Sequence, residues 1–351
     1  MHINKKGVDL LNILIYTYGN HQMGMGHVYR MSYLGIYLRS MGHNIRFFMP
    51  NWEDGVTKIF QEGWQQILIP VNHFENEIYY KNKLKNFKFD CIIVDALNVS
   101  EPIMKIFREK TNLLISFDNI GNGRFFADIL INILYKRLPP LSAPKLEIND
   151  YSYIIISDEF GKIHQKEKVI PKTIRKILIT QGGSDTYGIV PQLIDAIDTI
   201  NSNIEYFVVI GPGFKHHENL DLSVKKSALK IHIIKNITDP WNLFFNMDLA
   251  ISAGGMTLLE LLCLGVPTIT TTQEIKELET IDDLINNNLI INLGYFDKTK
   301  KEQITSLIFG LNKDYVKRLM LSTNSKKYID GKGCKRIADL IEKYYLKVNT
   351  Q

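Results

Sequence analysis

The sequence predicts an α/β protein made of two Rossmann-like, doubly wound parallel-sheet domains that face a central cleft. First, its 351 residues are about twice the usual length of one domain. Second, short apolar runs alternate with segments whose apolar residues recur every three or four positions, which is typical of strands and helices around a parallel sheet. Third, this alternation restarts after a charged stretch at 158–175, so we predict domains at 1–165 and 166–351.

The first half begins with a buried strand and a helix. An apolar run at 11–18 predicts the strand, and the glycine-containing stretch at 19–26 predicts the loop after it. From Val28 the apolar positions keep helical spacing until Gly42 ends the helix, and 44–49 resumes strand character. The later predicted elements are strands at 89–94 and 112–117, a helix at 101–110 and a further apolar segment at 127–133.

The second half repeats this alternation without a sequence repeat of fixed period. We predict a strand at 176–180, a loop containing Gly182 and Gly183, and a helix at 189–200. Further strands are predicted at 206–210, 230–234, 249–252 and 268–271. The last helix, at 334–346, is a candidate to cross back to the first domain.

The composition excludes several classes of protein. With 45% hydrophobic and 23% charged residues, the chain is typical of a globular protein, and its net charge of +5 comes from scattered lysines, so no nucleic-acid partner is predicted. Cys91, Cys263 and Cys334 are far apart and predict reduced thiols. No apolar run is long enough for a membrane span and the start lacks a signal pattern, so we predict a cytoplasmic protein without an integral membrane segment.

A first motif joins two glycines to a histidine where the first strand passes into the first helix. Gly24 and Gly26 allow the backbone to approach a ligand closely, and Arg30 follows one turn after His27. An imidazole at this edge is suited to act as a general base at neutral pH. Alternatively, His27 caps the helix and the glycines only make a turn. A third glycine and an acidic residue for a ribose are missing, so NAD binding is not predicted and we expect no cofactor.

A second motif also follows a strand and opens a helix. The backbone N–H groups of Gly255, Met256 and Thr257, after Gly254, are suited to bind a pyrophosphate. Glu260 is expected about one and a half turns further on, where a carboxylate can reach back to accept hydrogen bonds from both ribose hydroxyls. Phosphate and ribose together predict a nucleotide. The alternative is an ordinary glycine turn with Glu260 in solvent.

A third motif follows the first strand of the second half. Gly182, Gly183 and Ser184 could contact phosphate or the transferred sugar. A helix N-cap made by Ser184 or Asp185 explains the same residues equally well.

Acidic residues end two strands of the first half. Asp95 and the pair Asp118-Asn119 could orient sugar hydroxyls or a catalytic group. Glycoside hydrolysis by two carboxyl groups would require a particular separation between them. Metal-ligand spacing is lacking, and His216-His217 resembles a solvated loop pair, so no metal is predicted.

Together these motifs resemble the nucleotide-sugar hydrolase of pseudaminic acid biosynthesis and the related spore coat polysaccharide biosynthesis proteins. These form a branch of the two-Rossmann, GT-B glycosyltransferase-like superfamily. The resemblance spans nearly the whole chain in order and spacing. It is carried by Gly24-x-Gly26-His27-x-x-Arg30, Ile92–Asp95, Phe117-Asp118, Ala127–Asn132, Gln181–Asp185, Ala253–Thr257 with Glu260, Gly265–Pro267, and Asp330–Gly333 with Arg336.

The resemblance implies attack by water on the anomeric carbon of a UDP-linked 2,4-diacetamido-2,4,6-trideoxyhexose, with inversion and UDP as the leaving group. His27 matches the family's catalytic histidine, with Arg30 and Asp95 as further candidate catalytic residues, while the loop from Gly254 to Thr257 would stabilise the departing diphosphate. No metal is expected in this family.

Two departures from the family pattern leave the donor and the acceptor open. The family's Asn-Gln pair is absent from residues 270–283, and its paired aspartates become Asp118-Asn119. One alternative is a glycosyltransferase in which His27 deprotonates the hydroxyl of a sugar or glycan acceptor. Another is a non-catalytic nucleotide-sugar binding protein.

Overall fold

The computed structural model describes residues 10–21, 24–134, 146–197, 203–235, 237–272, 275–296 and 301–348. Among them, the first domain holds a parallel sheet of seven strands in the order β3-β2-β1-β4-β5-β6-β7. Its strands are β1 Asn12–Thr17, β2 Asn44–Pro50, β3 Gln65–Ile69, β4 Phe89–Asp95, β5 Thr111–Phe117, β6 Ile129–Ile131 and β7 Leu146–Ile148. The direction of strand order reverses between β1 and β4, which is where ligands of doubly wound sheets bind.

Helices cover the sheet of the first domain. They are α1 Gly26–Ser40, α2 Glu53–Gln61, α3 Glu77–Lys83, α4 Glu101–Glu109 and, from the end of the chain, α13 Gly333–Val348. In the described part of this domain, short 3-10 helices lie at Val71–His73, Asn122–Phe126 and Tyr151–Tyr153. Both faces of the central strands are buried, which explains why β1 and β4 are almost continuously apolar in sequence.

The second domain holds a parallel sheet of six strands among the described residues, in the order β10-β9-β8-β11-β12-β13. Its strands are β8 Lys176–Thr180, β9 Glu205–Ile210, β10 Lys230–Lys235, β11 Leu249–Ala253, β12 Thr268–Thr272 and β13 Ile291–Tyr295. Its helices are α5 Asp158–His164, α6 Ile189–Ile197, α7 His217–Lys226, α8 Pro240–Phe245, α9 Met256–Cys263, α10 Ile275–Asn286, α11 Lys301–Lys313 and α12 Tyr315–Tyr328. Strand order reverses between β8 and β11.

The fold class predicted from sequence, two Rossmann-like parallel-sheet domains, is therefore confirmed. The chain divides into one unit of Met1–Ile155 with Lys332–Gln351 and another of Ile156–Gly331. This division differs from the expected 1–165 and 166–351 because α5 packs on α8 and α9, whereas α13 packs on α1. No helix in the described ranges has the length and apolar character that a bilayer crossing needs.

Candidate active site

The loop between β1 and α1 places His27 at the switch point of the first sheet. Gly24 has a φ of +93°, a conformation that favours glycine. Gly19 is also required, because a Cβ atom there would lie 2.8 Å from the Gly24 carbonyl oxygen. This tight loop starts α1 at Gly26, so His27 lies in the first turn of that helix.

His27, Arg30, Asp95 and Asp118 form one hydrogen-bonded cluster. The Nδ1 atom of His27 lies 2.7 Å from Oδ1 of Asp95. Arg30 donates from Nε to Oδ2 of Asp95 at 2.6 Å and from Nη2 to Oδ1 at 2.5 Å. Its Nη1 atom donates to Oδ2 of Asp118 at 2.7 Å. The guanidinium therefore joins two carboxylates, and the first of these also holds the imidazole.

Burial and charge fix the ionisation of this cluster. Asp95 is fully buried, which by itself would raise its pKa, but the opposing charge of Arg30 and the contact with His27 lower the pKa to about 2. Burial would lower the pKa of Arg30, but Asp95 and Asp118 together raise it above its usual value. With His27 neutral the four groups carry one net negative charge, so protonation of the imidazole makes the cluster neutral.

The position of His27 suits a general base. Its Nδ1 atom faces Asp95, so Nε2 is the ring nitrogen left to meet a substrate, and about a quarter of the side chain (24%) is exposed. A carboxylate that holds one imidazole nitrogen fixes the tautomer and stabilises the imidazolium ion. The residue at the N-cap of α1 is Met25, and no side chain makes a capping hydrogen bond there. The alternative role of His27 as a helix cap is thus not what the structure shows.

Asp118 completes the cluster and ties it to the end of β6. Its Oδ1 atom accepts hydrogen bonds from the backbone N–H groups of Ile133 at 2.7 Å and Leu134 at 2.9 Å. The sequence indicated an acid at this strand end but did not place it beside Arg30. The sequence signal was that an acid follows each of the predicted strands 89–94 and 112–117, whereas the register that pairs Phe117 with Asp95 is seen only in the folded sheet.

Asn119, which the sequence resemblance sets against a second aspartate, holds the turn after β5. Its Oδ1 atom accepts hydrogen bonds from the backbone N–H groups of Val99 and Gly121. The other departure lies at 270–283, where Thr271 donates to Oε1 of Gln181 at 3.2 Å. Residues 273–274 of that segment lie outside the described residues.

The second domain presents backbone rather than charged side chains at its switch point. Gly254 and Gly255 follow β11, and α9 begins at Met256 without a side-chain cap. Gly255 has an ordinary φ of −88°, and a Cβ atom there would meet nothing within 4 Å. The first N–H groups of α9 are therefore suited to bind an anion.

Glu260 is a half-buried carboxyl group one turn into α9. No hydrogen bond or ion pair connects its carboxyl group to another described residue. Although part of the side chain reaches the surface, loss of water around the carboxyl group raises its pKa to about 8.

The loop after β8 lies at the same sheet edge, because Thr180 pairs with Ser252 at the end of β11. Gly182 has a φ of +73°, and a Cβ atom on Gly182 or Gly183 would meet nothing within 4 Å. Ser184 lies 3.3 Å from the hydroxyl of Thr186.

The capping role considered for this third motif belongs to Asp185. Its carboxylate accepts hydrogen bonds from the N–H groups of Ile189 and Val190, the first two residues of α6. Within the described residues, no group of three or more His, Cys, Asp or Glu side chains is arranged to hold a metal ion.

Two curated relatives match the chain, and no family model does. The uncharacterised protein MJ1062 of Methanocaldococcus jannaschii is 33% identical over 287 residues, which cover 78% of this chain and 58% of that relative. The chain thus spans little more than half the length of MJ1062. The spore coat polysaccharide biosynthesis protein SpsG of Bacillus subtilis is 24% identical over 344 residues, covering 95% of this chain and 99% of SpsG.

Solved structures share the two-domain fold. MurG of Acinetobacter baumannii superimposes with a TM-score of 0.71 and 13% identity, over 95% of this chain and 99% of MurG. Anabaena Alr3699/HepE, solved in complex with UDP and glucose, gives a TM-score of 0.59 and 11% identity, over 95% of this chain and all of HepE (100%). The architecture is that of the GT-B glycosyltransferases.

Proposed function

We propose that this chain is an inverting, metal-independent enzyme that cleaves a UDP-sugar at the anomeric carbon, releases UDP and passes the glycosyl group to water. The observation that carries the proposal is the cluster in which Asp95, itself held by Arg30, holds Nδ1 of His27 and leaves Nε2 for the substrate. A UDP-2,4-diacetamido-2,4,6-trideoxyhexose is the donor that the sequence resemblance implies.

In this reaction His27 removes a proton from the attacking water through Nε2. The water oxygen bonds to the anomeric carbon while the bond from that carbon to the diphosphate oxygen breaks, and its electron pair leaves with UDP. Asp95 stabilises the imidazolium ion, and Arg30 keeps Asp95 ionised. Because the cluster becomes neutral when His27 gains its proton, no unbalanced charge develops in the buried site.

The nucleotide is assigned to the second domain. N–H groups at the start of α9, with those of the Gly182-Gly183 loop, would bind the diphosphate and stabilise the charge that develops on UDP. Glu260, a carboxyl group without a partner among the described residues, would accept hydrogen bonds from the ribose hydroxyls. The UDP complex of HepE, a protein of the same fold, supports the choice of UDP.

The second candidate function is transfer of the sugar to an acceptor hydroxyl, which His27 would deprotonate in place of water. An aromatic cluster after β1, β2 and β3 favours it, in which half-buried Trp52 and Phe74 pack on the buried ring of Tyr18. The ring of Tyr18 lies 5.5 Å from that of Trp52 and 5.3 Å from that of Phe74, measured between centroids. Such rings can stack on the apolar face of a sugar acceptor. The similarity to SpsG supports a role in polysaccharide biosynthesis for either reaction.

Product analysis separates these functions. Purified protein is incubated with a panel of UDP-sugars, including UDP-linked diacetamido sugars, and UDP and free sugar are measured. We expect both products in equal amounts without any acceptor, with the free sugar initially of inverted anomeric configuration. Turnover only when a hydroxyl acceptor is added would establish the transferase instead. Binding of UDP without turnover on any donor would contradict both enzymatic functions.

A further inference from the structure

The turn at residues 119–126, after β5, contains an arginine that is buried almost without partners. Arg124 is 7% exposed, and among the described residues its guanidinium donates only to the backbone carbonyl of Ile120, which Nη1 reaches at 2.7 Å. Its Nε atom is buried and makes no hydrogen bond. The guanidinium also lies over the ring of Phe125 at 5.4 Å, but no carboxylate pairs with it within the described part of the chain. A buried guanidinium normally has an anionic partner or several acceptors.

The other two arginines that are buried among the described residues, Arg30 and Arg318, illustrate this rule. Arg30 makes three hydrogen bonds to two carboxylates. Arg318, whose Nε atom also lacks a partner, donates to four backbone carbonyls through its terminal nitrogens. Arg124 has one acceptor, so its positive charge is the least compensated of the three.

A second donor without an acceptor lies in the same turn. Asn119 is fully buried, and its amide orientation is fixed because Oδ1 accepts from two backbone N–H groups. Its Nδ2 atom therefore remains a buried donor without a partner. The turn thus holds two buried donor atoms that lack a hydrogen-bond acceptor, Asn119 Nδ2 and Arg124 Nε.

The turn is held rigidly at the carboxyl edge of the sheet. A Cβ atom on Gly123 would lie 2.3 Å from the Val99 carbonyl oxygen, and one on Gly121 would lie 2.2 Å from Oδ1 of Asn98. The neighbouring acid, Asp118, is already saturated by Arg30 and two backbone N–H groups. Nearby, Glu101 is paired with Lys105. A fixed turn that is rich in donors and poor in free acceptors is suited to bind a compact anion.

We infer that Arg124 and Asn119 form an anion subsite that binds a carboxylate or phosphate group of the transferred sugar or its acceptor. The assignment of this anion to a sugar substrate rests on the proposed function, whereas the anion binding itself does not. Such a subsite favours the second candidate function or another donor sugar, because neither water nor a 2,4-diacetamido-2,4,6-trideoxyhexose carries a carboxylate or phosphate group.

The test is binding of inorganic phosphate, and of glucuronate compared with glucose, to the full chain by calorimetry in a chloride buffer. We expect phosphate or glucuronate to bind and glucose not to bind. Arg124→Gln should weaken this binding by about tenfold or more, because a charge-assisted hydrogen bond is lost. Arg46→Gln is the matched control, since half-buried Arg46 also lies over an aromatic ring, that of Phe87 at 5.4 Å, and this variant should bind the anion like the wild type.

Arg124→Lys keeps a positive charge and covers the case in which Arg124→Gln does not fold. It should melt like the wild type without ligand but show a smaller rise in melting temperature on addition of the anion. Loss of binding in both variants with unchanged melting would support the subsite. Wild-type affinity in Arg124→Lys or Arg124→Gln, or no binding of either anion by the wild type, would overturn it.

A further variant separates this inference from the proposed function. Met256→Glu places a negative charge in the proposed diphosphate loop and should abolish UDP binding while the effect of Arg124 persists. If phosphate binding is lost in Met256→Glu and kept in Arg124→Gln, the anion site is the nucleotide loop and the inference is wrong. If the wild type binds phosphate through Arg124 but never binds UDP, the proposed function fails and the subsite stands.

Discussion

Among the described residues, the two sheets share the order of their first six strands, but the chemistry at the switch point differs between the domains. In the first domain, between β1 and β4, the edge carries an arginine, two carboxylates and a histidine that bond to one another. In the second, between β8 and β11, the edge carries glycine loops and an uncapped helix start, and its acid, Glu260, lacks a partner among the described residues. In the proposed function, one fold would therefore serve proton transfer at one edge and ligand binding by the backbone at the other.

This difference shows that the position of a site can be conferred by topology while its chemistry is conferred by a few residues. Side chains that exchange protons must be fixed and charge-balanced, so they form a buried cluster. A diphosphate already carries its charge, and neutral N–H groups of a helix start are enough to bind it. Substitutions at the edge of the first domain should therefore lower turnover or stability, whereas those at the edge of the second should change UDP binding.

The largest effect is expected at His27. His27→Ala should lower kcat by about 10²–10⁴-fold, because general base catalysis is lost, while UDP affinity stays unchanged. Steady-state kinetics and calorimetry with UDP measure the two quantities. The control is His21→Ala, since His21 belongs to the same loop but pairs with Asp54. Full turnover by His27→Ala would remove the proton-transfer role from the first domain.

Arg30→Met tests whether the charged cluster also stabilises the first domain. It leaves Asp95 and Asp118 buried without their cation, so the free energy of unfolding should fall by about 3–5 kcal/mol. Urea denaturation measures the change. In an Asp95→Asn background the same substitution should cost less, because one buried negative charge is already gone. Equal losses in both backgrounds would show that the pair is not coupled.

Glu260 should make the second domain sensitive to pH. Its pKa is raised from an unfolded value of about 4.3 to about 8, so the folded state retains the proton and stability falls as pH rises between these values. UDP binding through the ionised carboxylate should instead strengthen by about tenfold from pH 7 to pH 9.

Calorimetry across that pH range gives the binding profile. Glu260→Gln should bind UDP with little dependence on pH, and 2′-deoxy-UDP should show a smaller dependence than UDP. A pH profile that is the same in wild type and Glu260→Gln would contradict the role of this carboxyl group in ribose binding.

The smallest effects are expected from two alanine substitutions in the glycine loops. In Gly255→Ala the added Cβ atom would contact no neighbour, and the φ angle is one that alanine adopts. The free energy of unfolding should therefore change by less than about 0.5 kcal/mol, while UDP affinity falls. Gly182→Ala should lose about 1 kcal/mol of stability, because its φ is +73°. Thermal unfolding with and without UDP compares them. Unchanged UDP affinity in Gly255→Ala would show that the ligand does not approach this backbone.

Much of the fold was predictable because the central strands are buried on both faces. The strand 176–180 was predicted with the bounds of β8, and β1, β4 and β11 within one or two residues. In contrast, β3 and α2 were not predicted, because their segment is rich in polar residues and their burial is partial. β13 is short, lies at the sheet edge and contains Gly294, so it has little strand signal of its own.

Residues of the candidate site could be predicted only where a reactive side chain lies next to a glycine loop or at the end of a strand. His27 and Asp95 had such signals. Their bond depends on the register of β1 against β4, which places Thr17 beside Asp95 and is a property of the folded sheet. Arg124 had no signal, because an arginine in a turn is ordinarily solvated and only tertiary packing buries it.

Because α13 packs on the first domain, the two domains can be completed in a particular order during synthesis on the ribosome. Synthesis proceeds from the N-terminus, and domains generally fold as units during it. Residues 156–331 are contiguous, so the second domain can be complete while the first still lacks the helix that packs on α1. The half that carries the catalytic candidates begins first and is finished last, so a nascent chain can acquire the proposed nucleotide loops before α13 packs behind the helix that carries His27.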